Sequence, residues 1–270
     1  MTVLPLQGLH VWITRPLTQA QRWQQQLTDL GAQTQLVPVL DIAPISAAAH
    51  LQKIAAISAR LNQFDKIIFI SQNAVTHGRQ HLHQLPASAA LFAIGSTTAA
   101  ALTDWGYAAA TVDAAMNSEN LLQHADLQGV NQQKILICRG VGGRTELAAS
   151  LQQRGARVET CELYQRIPHP EALKRWQQAL VAPGIPSQHR VVSAHSGESL
   201  QLLADLLHRL NSDQQQDSAG LGTLRRGPLL VPGQRVEALA RQLGFTQVLR
   251  AENASDTVMT ETLQRWWQRQ

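Results

Sequence analysis

The chain has 270 residues, of which 44% are hydrophobic and 16% charged, with a formal net charge of +4. That length suits two ordinary hydrophobic cores better than one, and the balance excludes a largely disordered chain. Aromatic residues make up 4%, basic residues are scattered, and no run approaches the ~18 apolar residues of a membrane span, so neither nucleic-acid nor membrane partners are expected.

In chain order, a short apolar strand over Val11–Ile13 leads through Thr14-Arg15-Pro16 into a helical stretch that closes at Leu30-Gly31. Strand Ile67–Ile70 leads into Ser71-Gln72-Asn73, and Leu91–Ile94 into Gly95-Ser96-Thr97-Thr98, with a helix closing at Trp105-Gly106. Strand Ile135–Ile137 opens the loop Arg139-Gly140-Val141-Gly142-Gly143-Arg144, whose helix ends at Arg154-Gly155. Arg190–Val192 leads into Ser193-Ala194-His195-Ser196-Gly197, and Leu229–Val231 into Pro232-Gly233-Gln234-Arg235, with a last Gly at Leu243-Gly244. Glycine just past a helix supplies the left-handed residue of a C-cap. Strands alternating with helices of this length predict an α/β fold with parallel sheets covered on both faces. Asn211–Gly227, rich in Gln, Asp, Ser and Gly, reads as a surface loop.

The units match in pairs. Arg15 with Gly31 overlays Arg139 with Gly155 at one constant offset, and Gly95 with Gly106 overlays Gly233 with Gly244 at another. The first unit of the chain thus corresponds to the last unit of the middle block, a permuted repeat. The geometry this predicts is an insertion: residues 41–165 form one α/β domain inside another built from 1–37 and 168–270. Residues 38–40 and 163–167 would be paired linker strands acting as a hinge.

The two cysteines, Cys138 and Cys161, lie outside any metal-ligand spacing and read as buried thiols of a reducing compartment. Met1–Arg15 has no basic leader followed by an apolar stretch. A cytoplasmic monomer without metal or cofactor is the expectation.

In open parallel sheets ligands bind at the carboxyl ends of the strands, where helix N-termini present unpaired N–H groups to anions. Here those loops add the hydroxyls of Thr14, Ser71, Ser96, Thr97, Thr98, Ser193 and Ser196 and the guanidinium groups of Arg15, Arg139, Arg144 and Arg235, and Gly142, Gly197 and Gln234 in the same loops are expected to join them in binding. If both domains turn this edge towards one cleft, it suits a ligand with several anionic groups. Individually, each Ser or Thr could equally be a helix N-cap. Residues 139–144 lack the GxGxxG spacing and any phosphate-loop lysine, so a nucleotide site is poorly supported. No catalytic constellation stands out. His195 lies in a ligand loop, where a lone histidine is more often solvated than catalytic, and Tyr164 lies at a domain crossing, either packing it or facing the cleft.

Several segments together resemble uroporphyrinogen-III synthases: Val11-Trp12-Ile13-Thr14-Arg15-Pro16, Phe69-Ile70-Ser71-Gln72-Asn73-Ala74-Val75, Ala93-Ile94-Gly95-Ser96-Thr97-Thr98-Ala99, Leu136 to Arg144, Glu162-Leu163-Tyr164-Gln165-Arg166 and Ala254-Ser255-Asp256. The resemblance covers nearly the whole chain in order, each motif being modest alone. It implies two α/β domains joined by a two-stranded ladder and closure of hydroxymethylbilane with inversion of its ring D. It also implies that Tyr164 assists loss of the substrate hydroxyl. Thr98 and Ser71 match cleft residues of the inserted domain, and Ser193, Ser196 and Gly197 those of the other. The chain departs from the family at Gln234 and Arg235, at Val141 and at Ser96. Two other readings fit the same pattern: a hinged small-ligand sensor without catalysis, and a nucleotide-dependent transferase.

Overall fold

The computed structural model describes residues 4–111, 118–143, 145–181, 189–213 and 224–270. It divides into two compact units, the first built from Met1–Asp41 and Ile167–Gln270 and the second from Ile42–Arg166.

The first unit holds β1 (His10–Ile13), α1 (Leu17–Asp29) and β2 (Gln33–Leu36), then α7 (Ala172–Val181), β9 (Arg190–Ser193), α8 (Gly197–Asp213), β10 (Pro228–Pro232), α9 (Gly233–Gln242), β11 (Gln247–Ala251) and α10 (Asp256–Trp267). Its sheet runs β11-β10-β9-β1-β2, and every registered neighbour pair is parallel. A parallel sheet covered on both faces needs apolar side chains at successive positions. Leu229, Leu230 and Val231 are all fully buried for this reason. Val11, Ile13, Val191 and Leu230 face one core with Trp23 and Leu27 of α1 and Met259 and Leu263 of α10. Trp12 packs edge-on against Trp176 of α7, centroids 5.3 Å apart, and the Trp176 indole donates to the Val37 carbonyl at 3.0 Å.

The second unit contains β4 (Lys66–Phe69), α3 (Gln72–His81), β5 (Ala90–Ala93), α4 (Ser96–Asp104), β6 (Ala110–Thr111), β7 (Lys134–Gly140) and α6 (Glu146–Gln153), with α2 (Ala48–Ser58) and the short α5 (Ser118–Leu121) between them. The six-stranded sheet has the order β3-β8-β7-β4-β5-β6, where β3 is Leu40–Pro44 and β8 is Arg157–Pro168. Both of these strands run across a unit boundary. The strand pleat divides the core: Ile67, Phe69, Leu136 and Cys138 face one layer, while Ile68, Ile135 and Ile137 face the other.

Helices α1, α4, α6 and α9 end on Gly31, Gly106, Gly155 and Gly244, all at positive φ. After α1 the Ala32 N–H returns to the Leu27 carbonyl (3.0 Å), and after α6 the Ala156 N–H returns to Leu151 (3.1 Å), the closing bond of a Schellman turn. Two findings differ from the sequence expectation. Strands β2, β6 and β11 were not anticipated, and α8 continues through Asp213 into the stretch expected to be a loop, of which 214–223 lie outside the described residues.

Candidate active site

In each sheet the chain leaves a central strand to one side and later returns to the other. The reversal falls between β1 and β9 in the first unit and between β4 and β7 in the second. At such a switch point the two following loops part, leaving a crevice at the carboxyl ends of the strands.

In the second unit, Ser71 ends the β4 loop and N-caps α3, its Oγ accepting the Ala74 N–H at 3.1 Å. The same Oγ lies 3.1 Å from the hydroxyl of Tyr164 on β8. Tyr164 is 1% exposed. Its ring lies directly against Gly140, where an added Cβ would come within 2.7 Å of it. His77 of α3 stacks on the ring at 5.7 Å, and the Arg166 guanidinium lies over it at 5.8 Å. Strand β8 therefore carries Tyr164 to the switch point as a fixed group. Burial and then His81 lower the pKa of His77, favouring a neutral imidazole beside the phenol.

The β7 loop is closed by its own arginine. Arg139 donates to the Gly143 carbonyl (3.0 Å) and to Glu162 Oε1 (3.1 Å). That carboxylate also receives the Gly142 N–H at 3.4 Å and lies 3.5 Å from His50 Nε2. Arg139, expected from the sequence to hold a ligand, has its guanidinium bonded to its own loop and to Glu162, a carboxylate the sequence pattern does not single out. Arg144 lies outside the described residues. At α4, Gly95 adopts φ +82° at the N-cap, Ser96 and Thr97 are exposed in the first turn, and Thr98 is buried.

In the first unit, Thr14 and Ser193 are fully buried. Thr14 donates to the Ser193 carbonyl at 2.6 Å and Ser193 to the Trp12 carbonyl at 3.2 Å. These hydroxyls stitch β1 to β9 and do not face solvent, as Thr98 does not. Arg15, another expected ligand group, pairs with Asp256 in the first turn of α10 and reaches the Ala254 carbonyl at 3.5 Å. Nothing near Arg15 in sequence signals this partner. Ser196 and Ser199 form a reciprocal cap at α8: the Ser199 N–H donates to Ser196 Oγ and the Ser196 N–H to Ser199 Oγ, each at 3.1 Å. Gly197 is partly exposed beside Arg235, whose Nη1 would be 3.7 Å from an added Cβ. Gln234 and Arg235 are exposed in the first turn of α9.

Between these loops stands His195, its ring edge-on to Trp23 at 4.8 Å. Burial, with a further contribution from the Arg15 guanidinium, holds its pKa well below the ordinary imidazole value, so it is neutral. The thiols of Cys138 and Cys161 are buried neighbours on β7 and β8. Burial pushes Cys161 up to about 12 and raises Cys138 as well, which leaves both as inert thiols. Among the described residues no group of three or more His, Cys, Asp or Glu is placed to hold a metal ion, and no helix is long and apolar enough to cross a membrane.

The family model for uroporphyrinogen-III synthase HemD matches residues 21–261. The uroporphyrinogen-III synthase of Escherichia coli is 32% identical over 265 residues, covering 95% of this chain and 100% of that protein. The Salmonella typhimurium enzyme is 31% identical with the same coverage. Among solved structures, a variant uroporphyrinogen III synthase from Thermus thermophilus gives a TM-score of 0.55 at 19% identity, covering 97% of this chain and 100% of that one. The Helicobacter pylori protein gives 0.56 at 14%, covering 94% and 96%. The structural likenesses establish the shared two-domain α/β fold. With the fold, the family match and full-length relatives in agreement, the chain belongs to the uroporphyrinogen-III synthase family.

Proposed function

We propose that this chain closes hydroxymethylbilane to uroporphyrinogen III, and that the strand-end loops of both units hold the substrate's carboxylates. Loss of the hydroxyl from ring A, protonated to leave as water, gives an electrophilic azafulvene. Ring D attacks through its substituted carbon to form a spiro-pyrrolenine. That intermediate fragments and recloses with ring D inverted, and a proton is lost to restore the pyrrole. The sequence transfers no net electrons and calls for no redox cofactor. Uncatalysed closure gives the uninverted isomer, so catalysis is largely selection of a ring geometry, a task for positioning groups rather than for strong acids and bases.

The observation that carries the residue assignment is the Tyr164–Ser71 hydroxyl pair at a switch point. Ser71 is anchored by the α3 cap, so it can hold the phenol in place while Tyr164 donates towards the departing oxygen. The carboxylates fall to groups at the helix N-termini: Ser96 and Thr97 at α4, Ser196 and Gly197 at α8, and Gln234 and Arg235 at α9, with Gly142 and Arg144 of the loop after β7. Each such N-terminus contributes about 0.3–1 kcal/mol to a bound anion. Thr14, Arg15, Thr98, Arg139 and Ser193 then act one step back, by fixing the loops. Residues 38–40 and 163–167 would form the paired linker between the domains 41–165 and 1–37 with 168–270. The expected state is a cytoplasmic monomer that binds this small polycarboxylate without metal, cofactor or nucleic acid. Separation of type III from type I product after incubation with fresh hydroxymethylbilane tests the reading directly.

A further inference from the structure

We infer that His195 is a substrate-positioning residue of the first unit, its imidazole kept without hydrogen-bond partners until a substrate carboxylate arrives at the N-terminus of α8. The inference rests on the functional reading above and adds a residue to it.

Both ring nitrogens, Nδ1 and Nε2, are shut off from solvent and have no hydrogen-bond partner in the structure, although the residue as a whole is partly exposed. A neutral imidazole carries one donor and one acceptor. Leaving such groups buried and unpaired is costly, and an orphaned pair calls for an explanation. Packing alone does not supply one. The ring's role against Trp23 is an edge-to-face aromatic contact, which a phenyl ring would make without orphaned nitrogens.

The surroundings identify the missing partner. His195 lies at the switch point between β1 and β9, one residue before the N-cap of the 17-residue helix α8. The groups set against it are Trp23 from α1 and, acting through its charge, the Arg15 guanidinium from the β1 loop; Ser196, which caps α8 together with Ser199, follows it in the chain. Arg15 is already neutralised by Asp256. An N–H donor beside the N-terminus of a long helix favours an anionic oxygen as its partner, and the substrate carries such oxygens on every ring. Because the ring belongs to a partly exposed loop residue, a turn about its side-chain bonds exchanges buried orphaned nitrogens for a bond to that oxygen. The histidine thus gains a partner only in the complex, which raises affinity for the correctly seated bilane without contributing to the chemical step.

Two variants separate this role from packing. His195→Phe keeps the ring on Trp23 and removes both nitrogens; His195→Gln keeps an amide N–H. Steady-state kinetics on fresh hydroxymethylbilane should show His195→Phe with KM raised about tenfold or more, the scale of one hydrogen bond to a charged group. Its kcat, its type III to type I ratio and its melting temperature should stay at or above wild type, and His195→Gln should recover most of the KM. An unchanged KM in a folded His195→Phe protein overturns the inference. If the phenyl variant does not fold, His195→Met against His195→Gln makes the same comparison, and equal KM values for that pair overturn it as well. Wild-type protein that forms no type III product would defeat the functional reading itself, a result distinct from either.

Discussion

The Tyr164 hydroxyl and the Ser71 Oγ lie 3.1 Å apart, with Ser71 also receiving the Ala74 amide of the helix it caps. Strand β8 and the head of α3 are thereby tied through one serine oxygen, and the phenol is aimed by a rigid element rather than by a loop. Tyr164→Phe should lower the rate of type III formation and raise the type I fraction. The loss should be smaller than the ~10²–10⁴-fold typical of full general-acid help, because the azafulvene forms readily by itself. One neutral hydrogen bond is worth about 1 kcal/mol, so the melting temperature should fall by only a few degrees. Wild-type rate and isomer ratio in the folded Phe variant would reduce Tyr164 to a packing residue.

Gly140 is predicted to be intolerant of any side chain. A Cβ there would stand 2.7 Å from Cε2 and Cζ of Tyr164, so Gly140→Ala must displace the ring. Overpacking of this kind costs about 1–3 kcal/mol. In chemical denaturation, Gly140→Ala combined with Tyr164→Leu should be less destabilised than the two single effects added together. Additive losses would show that the clash is relieved elsewhere.

The α/β class was legible because strands buried on both faces appear as unbroken apolar runs, such as Ile67-Ile68-Phe69 and Leu229-Leu230-Val231. Strand β2, Gln33–Leu36, carries no such run, since its side chains are at most half-buried at the sheet edge. Ser71 and Ser196 could be placed at helix starts from local spacing alone. Which hydroxyls turn inward could not: Thr14 and Ser193 bond to carbonyls of a neighbouring strand far away in sequence. The same holds for Arg15, whose partner Asp256 belongs to the last helix.

Arg15 and Asp256 should behave as a coupled pair. Their side chains are 18% and 23% exposed, between the surface and fully buried cases. Arg15→Gln and Asp256→Asn are each expected to cost about 1–2 kcal/mol in urea unfolding, with the double variant little worse than either. Simple additivity would show that the two groups act independently.

Stability should fall on acidification below about pH 6.5. His195, His10, His77 and His169 all have pKa values lowered from 6.5, chiefly by burial. As pH drops through 6.5 the unfolded chain takes up protons on these groups that the folded one does not, so each draws the equilibrium towards unfolding. The limiting slope is about 1.4 kcal/mol per pH unit for each histidine. Melting curves from pH 7.5 to 5 should show the decline, and His195→Phe should flatten it most, since His195 is the most strongly depressed of the four. A wild-type profile that stays level over this range would contradict the assignment of a neutral buried His195.

The central claim is that this protein imposes the inverted ring D closure. The most direct measurement incubates it with freshly prepared hydroxymethylbilane in metal-free, nucleotide-free buffer, oxidises the products and separates the type I and type III porphyrins. The account predicts predominantly type III, formed faster than the spontaneous closure. Type I alone, appearing at the rate of the protein-free control, would contradict it.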